Sequence, residues 1–385
     1  MKLNFDSRNR LILEIIVVLS ILIMLVHPVS GNEYRRYATD TLRYERGEVL
    51  EILSEELEDS TLKTGQKLGQ QHLLVRLSDG TEVELDNYLT ETHNILIQKG
   101  QSIIICVDLP ENASPYYTVY NYDRTAPIVG LVGVFILLLI LVGKRKGMDA
   151  CLAILFSLIF IIQVTLPVLY NGGSPTVIGL VTVLLSTMVT LSLMHGPTKQ
   201  CLLGIVTTLL GEFAACLLFG VFSSLLHLTG FQTDSAEGLL LIAQNTGLNI
   251  RTLLFAGMMI SSLGAVMDVA VSILSALREV SLAAKRAERG MLFRSGMNMG
   301  QDLIGTMSNT LIFAFTGGAL STMLVFYSYG VQTQQLLNSD FLTVELAQGL
   351  CSTAAVIMTV PFAAAMGAMF YGGRRVKAAE SSKAA

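Results

Sequence analysis

A carboxylate stands in the middle of an apolar stretch of the chain, in the run "LGAVMDVAVSILSALREV" (263–280). Polar or small residues recur around it at intervals of three or four, which places them on one face of a helix. The opposite face consists of Met, Val, Ile and Leu. The pattern therefore predicts a helix with one polar stripe, formed by Ser261, Gly264, Asp268, Ser272, Ser275 and Glu279.

Two other segments carry polar residues within apolar surroundings. In "GQDLIGTMSNTLIFAFTGGAL" (300–320), Asp302, Thr306 and Asn309 share one helical face. A third carboxylate, Glu212, lies in "LLGEFAACLL" (209–218). From the predicted spans, Glu212 and Asp268 are each within ~6 Å of the bilayer midplane, in different helices. Matching depth predicts that the two carboxylates face a common cavity.

Carboxylates in such surroundings have two interpretations. An ionised Asp at the centre of a membrane-crossing helix costs ~3 kcal/mol on insertion scales. Protonation, hydrogen bonding, a bound cation or a hydrated cavity would offset that cost, and burial favours the neutral form. Alternatively, Ser, Thr and Asn side chains join neighbouring helices, and the serines of the stripe are packing residues. We favour a functional role for Asp268, because packing alone seldom requires a carboxylate.

The composition places these residues in a membrane protein. Of 385 residues, 52% are hydrophobic and 15% are charged, well below the roughly one quarter that is usual in soluble domains. A helix needs roughly 20 apolar residues to cross the hydrocarbon. The predicted fold class is mostly α, a polytopic helical membrane protein with about eight transmembrane helices. Those segments are 11–27, 126–143, 151–170, 175–194, 201–228, 252–277, 303–328 and 346–372.

Loop charges predict the orientation, because cytoplasmic loops are enriched in Lys and Arg. Nearly all basic loop residues lie on one side if both termini are cytoplasmic, and the alternate short loops contain only Arg251. We therefore predict cytoplasmic termini, with residues 32–125 outside. The first segment leaves two alternatives open. It is a retained anchor, or it is a signal peptide removed within "VHPVSGNE" (26–33).

Between the first two spans the sequence changes to a period of two. In "LLVRLSDGTEVEL" (73–85), the alternation on both sides of Asp79-Gly80 predicts a hairpin. Further strands are predicted at 47–53, 99–107 and 116–122, which suggests a small all-β barrel or sandwich. The predicted domains are a signal-anchor helix (1–31), an extracytoplasmic β domain (32–125), a seven-helix membrane domain (126–373) and a cytoplasmic basic tail (374–385).

The sequence shows no signature of an enzyme or of a cofactor site. It contains no HExxH, no G-x-S-x-G and no phosphate-binding glycine loop. Its histidines do not pair with Cys or carboxylates at metal-ligand spacing. We therefore predict no catalytic residue, no cofactor, no metal and no nucleic-acid partner. The expected partners are the lipid bilayer, an ion or small solute, and other subunits in a homo- or hetero-oligomer.

Three segments carry a family resemblance: "GAVMDVAVSILSALREV" (264–280), "GQDLIGTMSNTLIFAFTGG" (300–318) and "ELAQGLCSTAAVIMTVPFAA" (345–364). Together with "YDR" (122–124), they resemble the YibE/F-like family of bacterial multi-pass membrane proteins over most of 44–372. The resemblance implies a location in the bacterial cell membrane and gives no substrate. The residues that match the family pattern are Asp268, Ser272, Ser275, Glu279, Asp302, Thr306, Asn309 and Thr310, with Glu212 and Glu345 matching less closely.

These patterns predict a transporter or permease for an ion or small solute. In this hypothesis Asp268 binds a cation or proton, and Asn309 and Thr306 are neutral ligands. The alternative is a non-transporting accessory or sensor protein, in which the β domain binds a partner and the polar stripes join helices. The predicted path consists of Asp268, Ser272, Ser275, Glu279, Asp302, Thr306, Asn309 and Glu212.

Overall fold

The computed structural model describes residues 7–27, 41–62, 65–110, 114–231, 236–284 and 287–373. The possible cleavage site at 26–33 lies almost entirely outside these ranges, and the basic tail 374–385 lies wholly outside them. The chain divides into two compact units. One is Arg35–Leu138, and the other combines Met1–Tyr34 with Leu139–Ala385.

The smaller unit contains a closed barrel with the strand order β1-β2-β3-β5-β4. Strands β2 and β3 form the predicted hairpin, where the Leu77 amide donates to the Thr81 carbonyl at 2.8 Å. Gly80 in this turn has a φ of 88°, which glycine adopts without strain. The prediction of a small β domain is confirmed as a barrel. Its strands are β1 (Leu42–Asp59), β2 (Lys67–Leu77), β3 (Glu82–Leu89), β4 (Ser102–Asp108) and β5 (Tyr116–Tyr122).

Two buried amide side chains, Gln71 and Asn87, hold a non-strand segment inside the barrel. Gln71 Nε2 donates to the Ile97 carbonyl at 3.0 Å, and Asn87 Nδ2 donates to the Ile95 carbonyl at 2.7 Å. Asn87 also donates to Gln71 Oε1 at 3.0 Å. These bonds satisfy buried backbone groups that no neighbouring strand reaches. They therefore fix residues 94–98 against β2 and β3.

Six helical stretches of the described residues are long and apolar enough to cross a membrane: Thr125–Tyr170, Pro175–His195, Lys199–Leu225, Ile250–Ala283, Arg289–Ser328 and Asp340–Tyr371. A π-helical turn at Ile161–Thr165 joins two helices of the first stretch. The helices are α1 (Ser7–Val26), α2 (Thr125–Phe160), α3 (Leu166–Tyr170), α4 (Pro175–His195), α5 (Lys199–Leu225), α6 (Ala236–Thr246), α7 (Ile250–Ala283), α8 (Arg289–Ser328), α9 (Thr333–Leu337) and α10 (Asp340–Tyr371).

The predicted count of eight spans is wrong by this criterion. Segments 126–143 and 151–170 fall within one helical stretch of 46 residues. Two helices of this stretch meet at a kink at Lys144, which has a non-helical backbone with φ 50° and ψ −127°. There the Leu139 carbonyl lies so close to Gly147 that a Cβ would not fit. Segment 11–27 lies in α1, which is not one of the six stretches.

The main core of the helical unit lies between α5, α7, α8 and α10. Helix α8 approaches α10 closely at Gly296 and Gly300 of "GMNMG", where a Cβ would collide with Ala364 and Val360 respectively. Glycines four residues apart allow two membrane helices to approach in this way. The contact uses only one face of α8, and almost none of the most apolar part of α8 is buried.

Replacing Gly300 by Leu is expected to separate α8 from α10, because the new side chain must displace Val360. Overpacking of this kind costs ~1–3 kcal/mol, which corresponds to a fall of roughly 2–12 °C in the thermal midpoint. The measurement is thermal unfolding of the detergent-solubilised protein. Gly305→Leu is the control, since a Cβ on Gly305 meets no atom within 4 Å. Equal shifts in the two variants would contradict the assignment of the contact to Gly300.

Candidate functional site

The polar stripe of α7 forms the exposed face of that helix in the single chain. Val266 and Ile273, on the other side, are completely buried in the core. The apolar side of α7 therefore faces its own bundle, and the polar side faces away from it. The exposed members of the stripe are Ser261, Gly264, Asp268, Ser272 and Glu279, while Ser275 is half-buried.

Two serines of the stripe contact neighbouring helices. Ser261 Oγ lies 3.1 Å from Ser352 Oγ of α10. Ser275 Oγ accepts a hydrogen bond of 2.9 Å from Gln200 Nε2 of α5, and Gln200 Oε1 in turn accepts from Arg278 at 2.9 Å. Ser261 and Ser275 therefore join α7 to neighbouring helices, as the packing interpretation predicts.

Asp268 does not join α7 to a neighbouring helix in the part of the chain that the structure describes. It lies near the middle of α7, is exposed, and makes no side-chain hydrogen bond or ion pair with the described residues. A carboxylate facing lipid at this depth is unfavourable by ~3 kcal/mol or more. In a membrane, Asp268 therefore requires water, a cation, a proton or another protein chain beside it.

The polar residues of α8 also point away from the bundle. At about 100° per residue, Asp302 and Asn309 lie on the side of α8 opposite Gly300 and α10, and both are exposed. The Thr306 hydroxyl donates to the Leu303 carbonyl of its own helix at 3.1 Å. Thr310 likewise donates to Thr306 at 2.9 Å. Among the described residues, no hydrogen bond joins this face to the α7 stripe.

Glu212 is in a different environment from Asp268. Its side chain on α5 is only 1% exposed, and Ser262 Oγ of α7 lies 3.0 and 2.9 Å from its two carboxylate oxygens. Ser262 is completely buried, on the side of α7 away from the stripe. In the described residues the two carboxylates therefore lie on different sides of α7, with Glu212 against the buried Ser262 and Asp268 on the exposed stripe. Glu345, on α10, is half-buried.

Two interactions of charged side chains were not predicted from the sequence. Ser262 is the α7 partner of Glu212, although the stripe had drawn attention to its neighbour Ser261. Asp149 of α2 is completely buried and forms an ion pair with Arg10 of α1. Removal of either partner of a buried ion pair would leave an uncompensated charge. The pair with Arg10 therefore holds α1 against α2. The ion pair of Asp149 could have been predicted from the sequence, because this acidic residue lies close to a basic cluster in an otherwise apolar segment.

The "YDR" segment connects the barrel to the first residue of α2. The Tyr122 hydroxyl donates to the Leu96 carbonyl at 2.9 Å. Asp123 accepts from the Thr125 amide at 3.0 Å and pairs with Arg46 at 2.7 Å. Hydrogen bonding by the Thr125 side chain, followed by that of the Thr125 amide, lowers the pKa of Asp123 to about 2. The segment therefore has a structural role in the barrel unit.

A histidine bridges two carboxylates on the surface of the barrel. His72 Nδ1 lies 2.7 Å from Asp86, and His72 Nε2 lies 3.3 Å from Glu84. Both nitrogens donate only when the ring is protonated. The hydrogen bond with Asp86 is the largest cause that raises the pKa of His72, and the contact with Glu84 adds to it. The hydrogen bond with His72 in turn lowers the pKa of Asp86.

The described residues include no group of three or more His, Cys, Asp or Glu side chains that is arranged to hold a metal ion. A single carboxylate among hydroxyls and glycines, as on α7, is suited to exchanging a proton or to binding a cation together with water.

Comparison with known proteins identifies one family. The model of a family described as YibE/F-like protein matches residues 131–373, more than half of the chain. The match includes the α7, α8 and α10 segments that suggested the resemblance, while "YDR" lies outside it. Comparisons with curated proteins and with solved structures return no match.

The His72 contacts predict a pH dependence of barrel stability. Because the pKa of His72 is raised on folding, its contribution is complete below the unfolded value of about 6.5 and is lost as the pH rises through the folded value. The stability difference between wild type and His72→Gln should be larger at about pH 5.5 than at about pH 9. The measurement is the thermal midpoint of the barrel transition at each pH. A difference that grows with pH would contradict the assignment.

Proposed function

The chain belongs to the YibE/F-like protein family, and we propose that it is a transporter or permease that moves an ion or small solute across the bacterial cell membrane. The observation that supports this proposal is the position of Asp268. It lies near mid-span, on a polar face, without a partner among the described residues. Ionisable groups of this kind in membrane helices mark ion and solute paths.

The proposed path follows the α7 stripe. Asp268 binds a cation or a proton, and Ser272 provides a hydroxyl one turn further along. Gly264 leaves open space beside the carboxylate, since a Cβ there would meet no atom within 4 Å. Glu279 is exposed near the end of the stripe and accepts the ion on the cytoplasmic side. Ser261 and Ser275 hold α7 to its neighbours, so that the stripe keeps its orientation.

The proposed path is completed by another protein chain. Polar faces on both α7 and α8 point away from the single bundle, and lipid alone does not satisfy them. A homo- or hetero-oligomer covers these faces and encloses water between subunits. In such an assembly, Thr306 and Asn309 of α8 are available as neutral ligands.

The proposed orientation places both termini in the cytoplasm and the barrel outside the cell membrane. It is supported by the asymmetry of Lys and Arg between alternate loops. In this orientation Glu279 lies toward the cytoplasm and Arg251 toward the outside.

A second candidate function is that of a non-transporting accessory or sensor subunit, whose barrel binds a partner. The outward polar face of α8 favours it, because polar side chains in a membrane helix often form contacts between chains. In that case Asp268 stabilises an assembly, and its substitution changes the oligomeric state without changing any flux.

Replacing Asp268 by Asn is expected to reduce transport by roughly tenfold or more, because contacts to a charged group contribute ~1.5–3 kcal/mol. The protein is reconstituted in proteoliposomes under an imposed membrane potential. Flux is then measured for protons with an entrapped dye and for a panel of monovalent and divalent cations.

The matched control is Asp340→Asn, which removes an exposed carboxylate at the first residue of α10. It should transport like the wild type. Equal flux in wild type and Asp268→Asn contradicts the proposed role of Asp268. Unchanged flux together with a changed oligomeric mass supports the accessory function.

A further inference from the structure

We infer that Glu212 holds a proton at neutral pH, at a buried site that it forms with Ser262 and Thr208 between α5 and α7. This site is separate from the exposed α7 stripe. Its ligand is a proton, and its chemistry is that of a neutral carboxyl group within a network of hydroxyls.

Burial without a counter-charge is the first argument. Glu212 is 1% exposed, and it makes no ion pair with the described residues. An unpaired ionised carboxylate is strongly disfavoured in such a place, so the group is neutral instead. Its polar neighbours are Ser262 of α7 and Cys216 one turn further along α5. Thr359 of α10 adjoins Gly211.

No basic residue faces Glu212 from the helices that pack against α5. Helix α4 carries one ionisable residue, His195, at its last position. The ionisable side chains of the other two helices are Arg251, Asp268, Arg278 and Glu279 on α7, and Asp340, Glu345, Cys351 and Tyr371 on α10. Only Arg251 and Arg278 are basic among these, and they hydrogen-bond Ser224 and Gln200 respectively.

The geometry of Ser262 gives the second argument. Its Oγ lies 3.0 Å from the Met258 carbonyl and 2.9 and 3.0 Å from the carboxyl oxygens of Glu212. A hydroxyl has a single hydrogen, and a helical serine commonly donates it to the carbonyl four residues earlier. If Ser262 donates to Met258, the short contact with Glu212 needs a hydrogen on the carboxyl group. Glu212 then donates to Ser262, and both contacts are satisfied.

Thr208 provides the third argument. It precedes Glu212 by one helical turn, so the two side chains lie on the same face of α5. Thr208 is completely buried, and its hydroxyl has no hydrogen-bond partner among the described residues. Thr208 is therefore a second buried hydroxyl, one turn from Glu212, with hydrogen-bonding capacity that the described residues do not use.

Use of this proton to drive transport rests on the proposed function, whereas the protonated state of Glu212 does not. The two are tested separately. Infrared spectroscopy reports the protonated carboxyl group, and proteoliposome flux reports its use. If the infrared result holds and Glu212→Gln transports like the wild type, the proton site stands and its role in coupling is rejected.

The experiment is infrared spectroscopy of the full chain in lipid at about pH 7, comparing wild type, Glu212→Gln and the control Glu237→Gln. Glu237 is exposed on α6. The carbonyl band of a buried protonated carboxylic acid should be present in wild type and the control, and absent in Glu212→Gln. Ser262→Ala should shift this band, because the carboxyl group loses its acceptor.

Stability provides a second readout. Glutamine has nearly the shape of a neutral glutamic acid, so Glu212→Gln should fold and should unfold at the same temperature as the wild type at neutral pH. Identical carbonyl bands in wild type and Glu212→Gln would overturn the inference. So would a thermal midpoint of Glu212→Gln many degrees below that of the wild type, because an ionised Glu212 is then part of the native structure.

Discussion

The free energy of removing charge from water is the constraint on which this structure depends. Lipid and the protein interior are both poor solvents for a carboxylate, so each acid in a span needs a specific environment. Three acids of the helical unit lie in three different environments. Asp149 is buried with Arg10, Glu212 is buried with hydroxyl groups, and Asp268 stays on an exposed face. Of these three acids, only Asp268 is exposed, and for this reason the proposed function assigns the ion to it.

Close helix packing explains why the polar stripe remains outside the bundle. The GMNMG glycines bring α8 against α10, and Gly211 brings α5 against Thr359. Val266 and Ile273 of α7 fill the space between the helices. Apolar side chains and small residues therefore fill the contacts between these helices on the side of α7 away from the stripe. The proposed path through Asp268 would therefore run along the surface of the bundle, and an adjacent chain would have to complete it.

Much of the fold followed from sequence patterns, since alternation around Asp79-Gly80 predicted the hairpin and apolar runs predicted the long helices. Periodicity also defined the α7 stripe correctly, but it could not show which way the stripe faces. In a soluble protein the apolar side of a helix must face the protein interior, whereas in lipid either side of the helix can face it. The partnership of Glu212 with Ser262 depends on how two helices cross, and spacing along one chain carries no information about that. The basic residues near Lys144 suggested a loop, and the structure has a kink between two helices at this position instead.

The reactivity of single cysteines measures directly whether the α7 stripe is hydrated within the membrane. In a variant that lacks the five natural cysteines, Gly264, Asp268 and Ser272 are each replaced by Cys, with Val266 and Ile273 as buried controls. A charged thiol reagent, which does not enter lipid, is then applied to the protein in native membranes. A hydrated stripe should give rapid labelling at the three stripe positions and none at the controls. Labelling of the Asp268 position by a lipid-soluble reagent alone would contradict it.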